Sequence, residues 1–359
     1  MTVDPLSPRF ARQRVLSGIG PDGQRRLASA HVVVIGAGGL GNAVLPVLAG
    51  AGVGRITVID DDTVDESNLH RQVLFSAADI GTPKADAAAR AIARQSPDTE
   101  VESVVVRFGP DAPLPHDVDL LIDGSDVETT RFAANDAALA AGIPLVWGSA
   151  LRWSGQVGVA VADADFRDLF PGGPALDADT CEIAGVSPTV CTVIGGLMAT
   201  EALKLVTGAG APLVGRVLAY DGLRGTIDEL QFARDPDRTM TPAPAARLAQ
   251  AAGLSDTVTA AELDALLDSD APPVLVDVRE PMELAIAALP GATHIPLGQL
   301  ARRIDELDPD ADTVVLCHHG VRSEAALAHL RHSGFARARH LAGGIDAWSR
   351  DVDPSVPRY

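Results

Sequence analysis

A chain of 359 residues is too long for one ordinary hydrophobic core, so two domains are expected. Its 47% hydrophobic content excludes a largely disordered protein, and 29 Lys and Arg against 48 Asp and Glu, a net charge of −19, argue against nucleic acid or an anionic membrane as a main partner. The opening residues lack a basic-then-apolar signal pattern. The apolar run Val44–Val53 is short and broken by Pro46 and Gly50, and no other run is read as membrane-spanning, so a cytoplasmic protein is expected. Cys181, Cys191 and Cys317 are far apart and odd in number, which does not suit a disulfide framework.

In chain order, Pro5 to Leu27 reads as an arm with a helix over Arg9–Leu16 and a turn at Gly20–Gly23. Val32–Ile35 is a β-branched apolar run that reads as a buried parallel strand and ends in Gly36-Ala37-Gly38-Gly39-Leu40-Gly41. A helix over Asn42–Ala49 and a strand over Ile56–Ile59 follow, and the strand delivers Asp60 about two dozen residues after the first glycine. This is the pattern of a nucleotide-binding βαβ unit. Its glycines let the backbone approach phosphates at a helix N-terminus, and its carboxylate can hold ribose hydroxyls. A polar loop through Asp61, Asp62 and Ser67-Asn68-Leu69-His70-Arg71-Gln72 lies where such folds place the ligand crevice.

Further on, a helix is expected over Pro83–Arg94 with Lys84 in its first turn, then strands over Glu100–Val106 and Asp119–Asp123, the latter opening at Gly124-Ser125-Asp126. A helix over Thr129–Ala141, a strand over Leu145–Trp147 and an antiparallel strand over Gly155–Val161 come next. A crossover loop at Asp163–Asp179, a long helix over Pro188–Leu205 and strands near Arg216–Tyr220 and Gly225–Phe232 close the first domain. The fold class is α/β, a Rossmann-like mixed, mostly parallel sheet with helices on both faces. Residues 1–235 form this domain, 236–257 a linker poor in periodicity, and 258–359 a smaller α/β domain with strands at Val274–Asp277 and Thr313–Leu316 and a helix over Arg322–Ser333.

A triphosphate on the glycine turn would need cations, a carboxylate for Mg²⁺ and a ribose anchor. Arg12, Arg71 and Lys84 are the candidate cations, Asp126 the candidate metal ligand and Asp60 the anchor. Arg9-Phe10-Ala11-Arg12-Gln13, the glycines 36, 38, 39 and 41, the pair Asp60 and Asp62, the run Ser67–Gln72, Lys84, Asp126 and Thr180–Val186 together resemble the MoeB/ThiF adenylyltransferases, relatives of ubiquitin-activating enzymes. That resemblance implies ATP-dependent adenylation of the C-terminal Gly-Gly carboxylate of a ubiquitin-like sulfur carrier (MoaD-like or ThiS-like). It also implies that Arg12, Asn68, Arg71, Lys84 and Asp126 surround the triphosphate and magnesium, with Arg71 and Arg12 reaching across a homodimer. Cys181 stands where the family has a cysteine proposed to carry an acyl intermediate, whereas Cys191, among Val190, Val193 and Ile194, reads as a core thiol.

Two departures accompany the resemblance. The family's structural zinc is held by two CxxC pairs, and this chain has Asp165 and Asp168 and the stretch Arg238–Thr241 in their place, so no zinc is expected. Val127 stands where an Asn usually follows the aspartate.

In the second domain, Cys317-His318-His319-Gly320-Val321-Arg322-Ser323 follows a strand and precedes a helix, which favours a thiolate through backbone N–H groups and the Arg322 charge. With Asp277–Leu284, His294-Ile295-Pro296 and Leu341–Trp348, it resembles the rhodanese sulfurtransferase domain. Its six-residue loop has the length associated with sulfur chemistry. His318 and His319 lack a third metal ligand at recognisable spacing and read as loop residues. The combined expectation is a bifunctional enzyme in which a Cys317 persulfide, loaded from thiosulfate or a cysteine desulfurase, converts the carrier adenylate to a thiocarboxylate, as in molybdopterin or thiamine biosynthesis. By residues alone, a nicotinamide-dependent oxidoreductase fused to a sulfurtransferase, or a docking scaffold with only the second domain active, stays open.

Overall fold

The computed structural model describes residues 2–109, 112, 114–171, 185–235, 257–269 and 272–358. They fall into two compact units that divide within the stretch read as a linker, 236–257, of which 236–256 lie outside the described residues and Thr257 already belongs to a strand of the second unit.

The first unit is built on β1 (His31–Ile35), β2 (Arg55–Ile59), β3 (Glu100–Val104), β4 (Leu120–Asp123), β5 (Leu145–Leu151), β6 (Ser154–Ala160), β7 (Arg216–Asp221) and β8 (Thr226–Gln231), in the spatial order β3-β2-β1-β4-β5-β6-β7-β8. The five strands from β3 to β5 are parallel, and β6 to β8 continue the sheet antiparallel. β1 shows why a continuous β-branched run is needed at the centre. Val32 and Val34 face one helical layer, with Leu40, Val44, Leu48, Ile194 and Met198, and Val33 and Ile35 face the other, with Phe132, Trp147 and Phe166. Strand order reverses between β1 and β4, so the turns leaving these two strands open the crevice that such sheets use for ligands.

Two expectations are corrected. The Gly20–Gly23 turn is the first turn of a helix, Gly20–Ser29, in which Pro21 occupies a position that needs no N–H, and Gln24 and Leu27 are buried. The helix expected over Arg9–Leu16 shrinks to a 3₁₀ turn, Pro8–Phe10, and one α turn, Ala11–Arg14. In addition, the helix Pro188–Thr207 is long and apolar enough to cross a membrane, against the reading that no further run was. It packs on the Gly39–Ala51 helix and on β5 and β6, burying Val190, Ile194 and Met198, so its apolar character is accounted for by the core.

The second unit is a five-stranded parallel sheet, formed by β9 (Thr257–Val258), β10 (Val274–Asp277), β11 (Thr293–His294), β12 (Thr313–Leu316) and β13 (Ala338–Leu341) in the order β11-β10-β12-β13-β9. Helices Ala260–Leu267, Leu297–Arg303, Val321–His332 and Gly344–Asp351 accompany it, the first started by a Thr259–Glu262 capping box.

Candidate functional site

Gly36 turns the chain out of β1 with φ +86°, and its neighbour Ala37 donates its N–H to Asp60 Oδ2 at 2.7 Å. Asp60 therefore closes the turn from the end of β2, and its other oxygen accepts from Asp62 N at 2.8 Å. Burial pushes its carboxyl up to about 6, although Lys84 and the N–H groups of Ala37 and Asp62 pull it down. Gly41 is obligatory for another reason: a Cβ there would stand 2.0 Å from the Gly36 carbonyl oxygen. Gly38 has an open face, with Gln72 Nε2 at 3.9 Å from its Cβ position as the nearest atom. The buried Gln72 Oε1 has no hydrogen-bond donor among the described residues.

Sequence reading missed Asn42. This fully buried side chain donates to the carbonyls of Ala37 at 2.6 Å and Gly38 at 3.0 Å and accepts from Leu74 N at 2.8 Å. It bolts the glycine turn to the polar loop.

Arg71 and Cys191 both approach Gly39. A Cβ on Gly39 would lie 3.6 Å from Arg71 Cδ and 2.7 Å from Cys191 Sγ. Burial raises the Cys191 thiol, and the charges it feels in addition are Arg71 and Asp126. Lys84 is mostly buried at the start of the helix Lys84–Gln95, where its Nζ lies 2.8 Å from Asp62 Oδ2. Asn68 is half-buried and Ser67 exposed, with Asn68 Nδ2 3.3 Å from Ser67 Oγ. Asp126 is exposed on the turn after β4. That turn is held by the fully buried Asp123, which accepts from Ser125 N, Ser125 Oγ and Arg131 Nε, while Arg131 Nη2 donates to Ser125 O. Val127, in the place of the usual Asn, caps the following helix without a side-chain hydrogen bond.

Arg12 is not brought to this group within one chain. Its segment is bolted to the far end of the Gly39–Ala51 helix, where Phe10 lies against Gly52 and Gln13 donates to Ala51 O. Thirteen helical residues put that end about 20 Å from the glycine turn. Arg12 itself is exposed. Cys181 lies outside the described residues, as do 238–241. At the other pair of positions expected to lack zinc ligands, Asp165 N donates to Asp168 Oδ2 at 2.9 Å, Asp165 Oδ1 accepts from Arg167 N, and Asp168 Oδ1 accepts from Asp235 N at 3.2 Å. These carboxylates tie the start of the crossover to the chain beyond β8.

In the second unit Cys317 sits at the end of β12, buried, with Gly320 N donating to Sγ at 3.1 Å. Gly320, at φ +101°, caps the helix Val321–His332. The carbonyls of Cys317 and His318 are drawn away by Ile345 N at 2.8 Å and Asp346 N at 3.1 Å, and a side chain on Gly344 would collide with both. The loop therefore leaves its carbonyls turned away and the Gly320 N–H on the sulfur. Arg322 adds less positive charge than its position in the sequence suggests. It makes a two-pronged pair with Glu283 at 2.6 and 2.7 Å. Buried Arg279 pairs likewise with Asp277 and donates to Ala287 O.

His318 and His319 stack at 3.8 Å, and burial pushes His318 down to about 4, leaving it neutral at neutral pH. The third candidate ligand absent from the sequence pattern is supplied in space by Asp346, with ligand atoms within 4.8 Å of one another. That carboxylate is already engaged by Arg358 at 2.7 Å and Arg350 at 3.7 Å.

Comparison with known proteins places both units. The ThiF family profile matches residues 10–240, and the rhodanese-like domain profile matches 259–351. The probable adenylyltransferase/sulfurtransferase MoeZ of Mycobacterium tuberculosis is 39% identical across 98% of this chain and 95% of its own length. The sulfur carrier protein adenylyltransferase of Thermus thermophilus is 43% identical across 64% of this chain and 88% of its own. Among solved structures, E. coli MccB with ATP has a TM-score of 0.57 at 21% identity, covering 65% of this chain and 74% of that one, a likeness of fold. The fold and the two sites define a Rossmann-like unit with a glycine-lined crevice, followed by a sulfurtransferase-type thiol loop. The chain belongs to the ThiF family and carries a C-terminal rhodanese-like domain. Its relatives are named adenylyltransferases and sulfurtransferases, which favours that reading over a nicotinamide-dependent oxidoreductase.

Proposed function

We propose that this protein adenylates the C-terminal Gly-Gly carboxylate of a ubiquitin-like sulfur carrier with ATP and then delivers sulfur from a Cys317 persulfide, giving the carrier thiocarboxylate. The observation that carries the first half is the close approach of Arg71 and Cys191 to Gly39 in the glycine turn, with the Asp126 charge felt at Cys191. The open face at Gly38 and the spare acceptor on Gln72 suit a bound nucleotide. The names of the relatives support both halves.

In the first step a carrier carboxylate oxygen bonds to the α-phosphorus of ATP and the bond to pyrophosphate breaks. Arg71 and Lys84 would offset the charge on the phosphates, Asn68 and Ser67 would donate to them, and Asp60 would hold the ribose once its proton is lost. Asp126 is the candidate Mg²⁺ ligand, Asp62 belongs to the same expected nucleotide site, and the ion would share the phosphate charge. Arg12 fits this site only as a contribution from a second subunit of a homodimer. In the second step the terminal sulfur of the Cys317 persulfide attacks the acyl carbon and AMP leaves. An external thiol then attacks the Cys317 sulfur, the acyl disulfide S–S bond breaks, the thiocarboxylate leaves, and Cys317 stays in a disulfide with that thiol until a second thiol reduces it. Cys181 is the candidate for a covalent acyl intermediate. Tethering the two domains, residues 1–235 and 258–359, through 236–257 raises the local concentration of persulfide at a labile adenylate. The pathway proposed is molybdopterin or thiamine-type sulfur transfer in the cytoplasm, with thiosulfate or a cysteine desulfurase as donor and without a structural zinc.

The test is ATP–pyrophosphate exchange with Mg²⁺ and a MoaD-like or ThiS-like carrier, followed by intact mass of the carrier. Exchange that depends on the carrier, and a mass shift that Cys317→Ala abolishes, are expected. Absence of exchange with every Gly-Gly carrier overturns the first half, and a mass shift surviving Cys317→Ala overturns the second.

A further inference from the structure

Beneath Cys317 lies a buried polar chain that neither the sequence pattern nor the comparisons assign. Cys317 Sγ is 3.5 Å from Ser323 Oγ, and Ser323 Oγ is in turn 3.4 Å from His340 Nδ1. Cys317 and Ser323 are essentially inaccessible and His340 is 8% exposed, so water does not compete for these contacts. His340 comes from β13, whose partner in the sheet is β12, the strand that ends at Cys317. Ser323 comes from the first turn of the helix Val321–His332, where its one hydroxyl proton goes to Gly320 O at 2.9 Å and has to turn to His340 Nδ1 for a relay to run. A serine satisfied by its own helix turn would need no imidazole, and a buried imidazole nitrogen within reach of a hydroxyl that also touches a nucleophile can take a proton from it when that nitrogen is unprotonated.

We propose that Ser323 and His340 form a proton relay for Cys317, a role that rests on the sulfurtransferase reading of this loop. Before the sulfane donor arrives, the thiol's proton passes to Ser323 Oγ while Ser323 passes its own to His340 Nδ1, so that part of Cys317 stands as thiolate. The thiolate sulfur forms a bond to the donor's outer sulfur, the donor's S–S bond breaks, and its electron pair leaves with the departing group, sulfite when the donor is thiosulfate. The imidazolium then stays under the anionic persulfide, and Gly320 N–H completes its surroundings. Arg322, the obvious cation of the loop, is committed to Glu283, so the relay supplies a positive charge that arises together with the negative one. Ser323 and His340 touch no substrate and act through the sulfur.

The experiment uses the full chain with thiosulfate as donor and cyanide as acceptor, and compares wild type with Ser323→Ala, Ser323→Thr, His340→Gln and Ser323→Ala/His340→Gln. The thiolate ultraviolet absorbance at fixed neutral pH is read alongside turnover. The expected result is a fall of about a hundredfold in kcat for Ser323→Ala and for His340→Gln, with KM for thiosulfate little changed. The thiolate signal falls with it, Ser323→Thr recovers most of it, and the double variant is no worse than the poorer single. The relay is overturned if Ser323→Ala keeps its thiolate signal and kcat within threefold, if Ser323→Thr behaves as Ser323→Ala, or if the two losses multiply. Should His340→Gln fail to fold, the Ala and Thr variants of Ser323 decide alone. A wild type that forms no persulfide at all refutes the sulfurtransferase reading, an outcome distinct from failure of the relay.

Discussion

Gly39 lies over Cys191 so closely that a single methyl group on the glycine would stand 2.7 Å from the thiol sulfur. Gly39→Ala should therefore cost about 2 kcal/mol of stability by overpacking and push the glycine turn into the crevice. Gly39→Ala/Cys191→Ala, which vacates the sulfur's space, should recover most of that loss in urea unfolding. Equal loss in the single and the double variant would show that the sulfur is not what the glycine avoids.

Asp60 makes the first unit sensitive to acid in an unusual sense. Its carboxyl is pushed by burial from the ordinary value of 3.8 up to about 6. Between those values the folded protein holds a proton that the unfolded chain has released, so stability falls as pH rises through the window, by about 3 kcal/mol in all. Asp60→Asn should remove this slope. Unfolding midpoints of wild type and Asp60→Asn that run parallel between pH 4 and 6 would contradict it.

Glu283 and Arg322 are each largely buried, with side-chain exposures of 15% and 12%. Arg322→Ala leaves the carboxylate without its main partner and should lower stability of the second unit by about 3 kcal/mol. The charge-removing double variant Glu283→Gln/Arg322→Gln should lie well above the sum of its singles. Additive losses in a double-mutant cycle would rule out the coupling.

The hydrogen bond from Asp235 N to Asp168 Oδ1 joins the start of the crossover to the chain beyond β8. Asp168→Ala should lower the melting temperature by a few degrees, as loss of about 1 kcal/mol does, while a strong chelator leaves the wild type unchanged. A chelator-induced drop in Tm would mean that a metal does this work.

Arg12 is held about 20 Å from the glycine turn of its own chain, the length of the Gly39–Ala51 helix. Arg12→Ala and Asp126→Ala proteins should each be inactive in ATP–pyrophosphate exchange, and mixing them should restore part of the activity through hybrid dimers in which one site is intact. No recovery after mixing would overturn the placement of Arg12 across a dimer.

Much of this was written in local sequence. The β-branched run Val32–Ile35, the glycines with fixed spacing, and Asp60 at the end of the next strand are choices between neighbours that turn geometry and a two-faced sheet enforce. The thiol loop was legible for the same reason, because strand, loop and helix follow one another without a break, although the helix begins at Val321, inside the six residues read as loop. The turn read at Gly20–Gly23 failed because glycine and proline open helices as well as end them, and burial of Leu27 decided which.

Only the folded chain settles what distant segments do to one another. Asn42 looks like an ordinary helix residue until Leu74 is brought to it, and Arg322 looks like a free cation until Glu283 arrives from the helix Pro281–Leu284. His340 carries no signal in the sequence, yet β13 sets it one hydroxyl away from Cys317. Periodicity and turn chemistry act over a few residues and can be read in order. Charge compensation, desolvation and proton transfer depend on distances of a few ångströms across the sheet, which the order of residues does not contain.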